Sequence, residues 1–291
     1  MKKILIPVDF SGHTDITCRY ALEFAKLSGA EIRLFHTYFD QIIIADTSFP
    51  DTLDMSTIYN EELMKEIFRQ AEKNMVELEA SVKQMIEHDG IKNVIVTTTV
   101  TGGELEYELK GICNDFHPDL VVMGTTGKGN NVNVWGKVSS FIIDHAKVPV
   151  VTVPEIKNIL GFQQIMFAAD LSEGNRATIA GLIELFSVFS ARIHVVHFIT
   201  KAKQPDAHIR MKGLQLSFEE EEKANLIRFD VIEALADNQA TVDQFVAAHK
   251  IQMIAFQPHK HNLLYMVFTK NITKKNLFAT NIPLISIPAV S

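Results

Sequence analysis

The residues best suited to chemistry form a glycine-rich run, Met123-Gly124-Thr125-Thr-Gly127-Lys128-Gly129-Asn-Asn-Val-Asn-Val-Trp135-Gly136-Lys137-Val138. A glycine lets backbone N–H groups approach phosphate oxygens with no Cβ in the way. A helix entered directly after such a run presents its positive end to the same anion. Lys128 and Lys137 add charge. Two other segments complete the candidate constellation: Pro7-Val8-Asp9, and His36-Thr37. The expected ligand is therefore anionic and phosphate-bearing. The run is not a P-loop, because Gly129 is followed by Asn130 where that motif needs Lys. Nor is it a dinucleotide fingerprint, because Val132 stands where the last glycine is required.

Elements must bring these segments together. Ile4–Val8 is a short apolar run of the kind that forms a buried parallel strand. Ser11 then offers an N-cap, Ile16, Tyr20 and Phe24 keep helical spacing, and Gly29 ends the helix. Ile32–His36 is the second strand, and residues 39–56 read as an irregular crossover. A long amphipathic helix follows over Glu61–His88, stopped by Gly90, and Val94–Val100 is the third strand. Glu104–Phe116 is the next helix, Leu120–Met123 the fourth strand, 139–146 a helix and Val148–Val153 the fifth strand. This alternation implies a parallel sheet with helices on both faces. In such sheets ligands bind beyond the C-terminal strand ends, where the strand order reverses.

The chain also repeats itself. Lys3-Ile-Leu-Ile-Pro-Val-Asp9-Phe-Ser11 aligns without a gap on Gln164-Ile-Met-Phe-Ala-Ala-Asp170-Leu-Ser172, an offset of 161 residues. At the same offset Ala30–His36 matches Ala191–His197. Val148–Pro154 matches Ile282–Pro288 at an offset of 134. Two copies, 1–155 and 161–291, are thus joined by a short linker at about Pro154–Gly161. Strands of the second copy fall near Ile165–Ala169, Ile193–Phe198, Ile251–Phe256 and Leu284–Ile287. A helix is expected over Ser217–Leu235, with only a vestige of a third strand near Ala236–Thr241. Ten glycines fall in the first copy and four in the second, and Phe256-Gln-Pro258-His259-Lys260-His261-Asn262 replaces the glycine-rich run. Phosphate-loop chemistry is therefore expected of the first copy alone.

Bulk properties narrow the class. The net charge of −7 argues against a general nucleic-acid binder. The charge is uneven: residues 1–155 hold 14 Lys+Arg against 23 Asp+Glu, the remainder 14 against 12, so the two copies present different surfaces. The longest apolar runs are far too short to cross a bilayer, and Asp9 interrupts the first one too early for a signal peptide. Cys18 and Cys113 read as buried reduced thiols, with no metal spacing, which fits a cytoplasmic setting. His249, His259 and His261 give no facing pair for a metal.

Three blocks carry a family resemblance: Ile4-Leu-Ile-Pro-Val-Asp9-Phe-Ser11, Asp119-Leu-Val-Val-Met-Gly124-Thr-Thr-Gly127, and Val148-Pro-Val-Val-Thr-Val. In these the chain resembles the universal stress proteins, in a tandem two-domain form. The resemblance implies two Rossmann-like domains of the adenine nucleotide alpha hydrolase-like type, each a five-stranded parallel sheet. It implies a stress-response protein that binds ATP or another adenine nucleotide, with Mg only alongside the nucleotide, and acts through protein partners without catalysis. Family members that bind ATP carry Gly-x2-Gly-x9-Gly-[Ser/Thr] after strand four. By that resemblance Asp9 contacts the ribose or adenine end, Gly124 and Gly127 line the phosphates, and Gly136 supplies the later glycine. The resemblance further implies homodimers built by pairing fifth strands. In a tandem chain Val148–Val153 and Leu284–Ile287 can pair within one molecule, a pseudo-dimer free to dimerise by other faces. This sequence departs from the pattern twice. Eight residues separate Gly127 from Gly136, and Lys137 replaces the hydroxyl residue. The offset of 133 at Met123/Phe256 and 134 at Pro149/Pro283 locates the missing residue between strands four and five. Three readings stay open: nucleotide binding by the first copy, an interaction module that has lost it, and a weak ATP-hydrolysing enzyme.

Overall fold

The computed structural model describes residues 1–38, 55–125, 139, 141–143, 146–156, 159, 161–199, 206–233, 238–258 and 280–288, the side chains of 55–61 and 238 excepted. Packing divides the chain into two compact units, Lys2–Pro118 and Asp119–Ser291, the latter with Met1. That division falls inside the first repeat copy, not in the linker.

In Lys2–Pro118 three strands, β1 (Lys3–Pro7), β2 (Glu31–Tyr38) and β3 (Ile95–Gly102), lie in the order β3-β2-β1, all parallel. Ile4, Leu5 and Ile6 are fully buried in succession, so both faces of β1 are covered, as the unbroken apolar run required. Helix α1 (Thr14–Ser28) buries Tyr20, Phe24 and Cys18 and ends at Gly29. Gly29 takes φ 63° and donates its N–H to Ala25 O at 2.8 Å, a left-handed cap that costs glycine little. Ser11 is not the cap expected of it. The residue before the helix is His13, with no side-chain cap bond, while Ser11 donates its own N–H to Asp9 Oδ1 at 3.0 Å. The aspartate two residues back competes for that role through a local turn. Helix α2 (Met55–His88) packs on β2 and β3, beginning earlier than the sequence suggested. Helix α3 (Leu105–Phe116) is pinned at its C-terminus: Lys3 Nζ donates to Phe116 O at 3.0 Å, and the Arg33 guanidinium lies 4.2 Å from the Phe116 ring centroid.

In Asp119–Ser291 seven strands run in the order β4-β5-β10-β9-β6-β7-β8. They are β4 (Leu120–Gly124), β5 (Val150–Val153), β6 (Gln164–Ala168), β7 (Arg192–Ile199), β8 (Ile227–Glu233), β9 (Met253–Phe256) and β10 (Leu284–Ser286). The helices are α4 (Asn175–Phe186), α5 (Ala207–Gln215), α6 (Glu219–Lys223) and α7 (Asn238–His249), and Ser139 with 141–143 are also helical. Strands β8-β7-β6-β9-β10 are all parallel and represent the third, second, first, fourth and fifth strands of the second copy. The order reverses between β6 and β9, which is where a doubly wound sheet opens a ligand crevice.

Two expectations for the second copy give way. The helix expected over Ser217–Leu235 is only α6, and Asn225, at φ 61°, turns the chain into β8. The third strand is thus a full seven-residue element, not a vestige at Ala236–Thr241. Glu219–Glu222 favours helix strongly, but Ile227-Arg-Phe-Asp-Val-Ile-Glu233 alternates branched or aromatic residues with charges, and pairing with β7 along its whole length decides the outcome.

The fifth strands pair with each other. β5 and β10 are antiparallel, with Val151 opposite Ile285. Those two residues are equivalent in the repeat, so the local two-fold passes through their pair. Each strand edge that the resemblance assigns to homodimer contact is satisfied inside one chain.

Candidate functional site

At the end of β1 in the first copy, Val8 N–H donates to Phe35 O at 2.8 Å. The Val8 carbonyl in turn accepts from His36 Nδ1 at 2.7 Å, which fixes the proton on Nδ1 because a carbonyl can only accept. Phe10, in the left-handed region at φ 55°, lays its ring 4.3 Å from the His36 ring. Asp9 uses Oδ1 on the Ser11 amide, while Oδ2 is buried with no partner among the described residues. A buried carboxylate oxygen without a donor costs on the order of a few kcal/mol, and the groups it can accept from are hydroxyl, amino and amide N–H. Val8 and His36 are thus joined directly at the end of β1, with Pro7 and Asp9 on either side of Val8 in the chain. Thr37 follows on β2, half-buried, with Thr101 as its register partner.

At the end of β4, Met123 is buried and Gly124 carries no side chain. Thr125 N–H donates to Val153 O at 3.0 Å, and the buried Ser139 hydroxyl reaches Gly124 O at 3.4 Å. Gly127, Lys128, Gly136, Lys137 and Val138 lie outside the described residues.

The second copy reproduces the same skeleton. Ala169 N–H donates to Val196 O at 2.8 Å, His197 Nδ1 donates to Ala169 O at 2.7 Å, and Ser172 N–H donates to Asp170 Oδ1 at 2.9 Å. Leu171 takes φ 59°, matching Phe10. Here, however, the strand end is closed by its own side chains. Asn175, 1% exposed, occupies the position of Thr14. Its Oδ1 accepts from Leu171 N–H at 2.9 Å, and its Nδ2 donates to Asp170 Oδ1 at 2.7 Å and Ser172 Oγ at 3.1 Å. Gln257, at the position of Gly124, places Oε1 3.4 Å from the same Nδ2. The glutamine packs so closely that a Cβ on Gly174 would lie 2.9 Å from its Nε2. The Arg210 guanidinium, from α5, donates to the Leu171 carbonyl. His197 is consequently 2% exposed, whereas its counterpart His36 remains half-buried. The repeat alignment already set Gln257 against Gly124. Nothing in the sequence pointed to Asn175 or Arg210, whose roles depend on three-dimensional contact.

Neither thiol belongs to this chemistry. Burial, reinforced by Asp15, pushes Cys18 up to about 12, and burial also raises Cys113. Among the described residues no group of three or more His, Cys, Asp or Glu could hold a metal ion, and no helix is long and apolar enough to cross a membrane.

The chain is similar to known proteins. The model of the universal stress protein family matches residues 1–154. A universal stress protein of Methanocaldococcus jannaschii is 28% identical over 159 residues, covering 52% of this chain and 94% of the relative. The crystal structure of a universal stress protein from Archaeoglobus fulgidus superposes with a TM-score of 0.69, covering 99% of this chain and 96% of its own, at 15% identity. A putative universal stress protein from Pseudomonas aeruginosa gives 0.60, covering 99% and 93%, at 11% identity. At such identities the two structures speak for a shared fold, an α/β architecture with a mostly parallel sheet. With over half the chain matched by the family's own pattern, this protein belongs to the universal stress protein family.

Proposed function

We propose that the first copy, residues 1–155, binds an adenine nucleotide, and that the second, residues 161–291, does not. The observation that carries this reading is the contrast at equivalent strand ends. Among the described residues Asp9 Oδ2 is buried without a donor, while Asp170 is engaged by Asn175 beneath Gln257. Chemistry decides which end of the nucleotide each group suits. A carboxylate oxygen repels phosphate and accepts from a ribose hydroxyl or an adenine amino group, so Asp9 fits the nucleoside end. Val8 precedes it just after β1, and His36, with Thr37 next on β2, bonds the Val8 carbonyl. Gly124 and Thr125 start the segment whose main-chain donors, with Lys128 and Lys137, suit the phosphates. Magnesium enters only with the nucleotide. The protein then acts in the cytoplasm through protein partners, its nucleotide state altering the surface they meet, without turnover as its purpose.

A calorimetric titration with ATP tests this. Wild type binds one equivalent, and Asp9→Ala weakens binding by about tenfold or more, the loss of one or two hydrogen bonds to a charged acceptor. No heat and no thermal shift at millimolar ATP would remove the reading. The short Gly127–Gly136 spacing and Lys137 favour a second one, an interaction module whose loop no longer grips phosphate. Under that reading, inserting one residue and restoring Ser at 137 creates binding that wild type lacks.

A further inference from the structure

On the face of the sheet opposite His197, β7 carries a second histidine that no nucleotide chemistry uses. His194 is 3% exposed. Its Nε2 lies 2.8 Å from Gln164 Oε1, so Nε2 holds the proton and Nδ1 is the lone pair. Among the described residues that Nδ1 is buried with no hydrogen-bond partner. Helix α7 closes over the ring with two aromatic residues one turn apart. The Phe245 ring stands edge-on at 6.0 Å, the His249 ring lies 4.9 Å away, and the Phe245 and His249 rings lie 4.3 Å apart, tilted by 37°.

The charged groups around this cluster are mostly cationic. Arg192 is two residues back on β7, and Arg228 on β8 is the register partner of His194. Asp230 is the acidic group nearby, and its Oδ2 lies 3.0 Å from Arg228 Nε. His249 approaches from α7. A proton added to His194 would therefore enter a dry site facing a second imidazole and two guanidinium groups.

We propose that the His194–Phe245–His249 contact is an acid-sensitive latch, holding α7 on β7 while the His194 ring is neutral and releasing it when that ring takes a proton. Through Lys250–Gln252 the helix leads into β9, whose end carries Gln257, so the latch lies on the segment that closes the second copy's strand end. The pH window follows from the ring's environment. Burial first, then His249, hold His194 down at about 4, against an ordinary 6.5, with Asp230 opposing and both arginines assisting. Above the ordinary value neither the docked nor the released form takes the proton, and the latch is at full strength. Between 6.5 and about 4 only the released form takes it, so docking weakens as pH falls. At pH near 4.5 the opening constant of α7 rises roughly a hundredfold over its neutral value.

Hydrogen exchange on the full chain at pH 7 and near 4.5, corrected for intrinsic rates, tests the latch. Amides of α7 should show that rise relative to those of β6, and His194→Phe, which keeps an aromatic ring but no titration, should abolish it. An NMR titration of the wild-type imidazoles provides a reading that no variant needs to fold for. His194 should stay in its neutral Nε2–H form until pH approaches 4. Titration near 6.5, parallel changes in α7 and β6, or a full acid response in His194→Phe would each overturn the proposal.

Discussion

Replacing Asn175 with alanine would remove the hub of the second copy's strand-end network. The residue is 1% exposed, and its side chain joins Leu171 N–H, Asp170 Oδ1, Ser172 Oγ and Gln257 Oε1. Two of these bonds dominate. The bond to the Asp170 carboxylate is charge-assisted, a class worth about 1.5–3 kcal/mol. Losing the acceptor for Leu171 N–H orphans a buried donor, at about 1–3 kcal/mol. The two belong to one network and do not add fully, so the expected loss is about 3 kcal/mol. For a unit of this size that lowers the melting temperature by roughly 6–12 °C. The control is built into the repeat. Thr14, the equivalent residue of the first copy, is buried but has no comparable side-chain network among the described residues, so Thr14→Ala should cost about 1 kcal/mol or less. Urea unfolding followed by a probe in each copy would compare them. Equal losses for the two variants would refute the claim that side chains close the second site and leave the first open.

The paired fifth strands give another expectation. Ile285 is fully buried opposite Val151, so Ile285→Ala should destabilise the chain by about 2–5 kcal/mol in denaturant unfolding. A loss below 1 kcal/mol would mean that the β5–β10 pairing contributes little. Cys18 is fully buried with its thiol pushed up to about 12, so Ellman's reagent at pH 8 should modify native protein at Cys113 alone. Both thiols should appear on unfolding, and rapid native modification of Cys18 would show that α1 does not seal it.

The parts of this structure that sequence made legible were those encoded locally or by repetition. The all-apolar run Ile4–Ile6 needs two covered faces wherever it sits, and Gly29 ends a helix by its own backbone freedom. The match of Asp9 to Asp170 and of His36 to His197 carried the strand-end skeleton from one copy to the other, down to corresponding hydrogen bonds at 2.7 Å. What stayed hidden depended on competition. Four consecutive glutamates outweighed the alternation in Ile227–Glu233 until pairing with β7 was seen. Ser11 looked like a cap because nothing in the sequence shows that Asp9 takes its amide first. Asn175 is an ordinary residue for the first turn of a helix. Only the fold brings it to Gln257, 82 residues away.

The stoichiometry of nucleotide binding puts the contrast between the copies to the most direct test. Native mass spectrometry of the intact chain with ATP should show a single nucleotide per chain, at much reduced occupancy in Asp9→Ala and unaffected by Asp170→Ala where that variant remains folded. Two nucleotides per chain, or a single one lost with Asp170 and kept with Asp9, would contradict an open first site beside a closed second one.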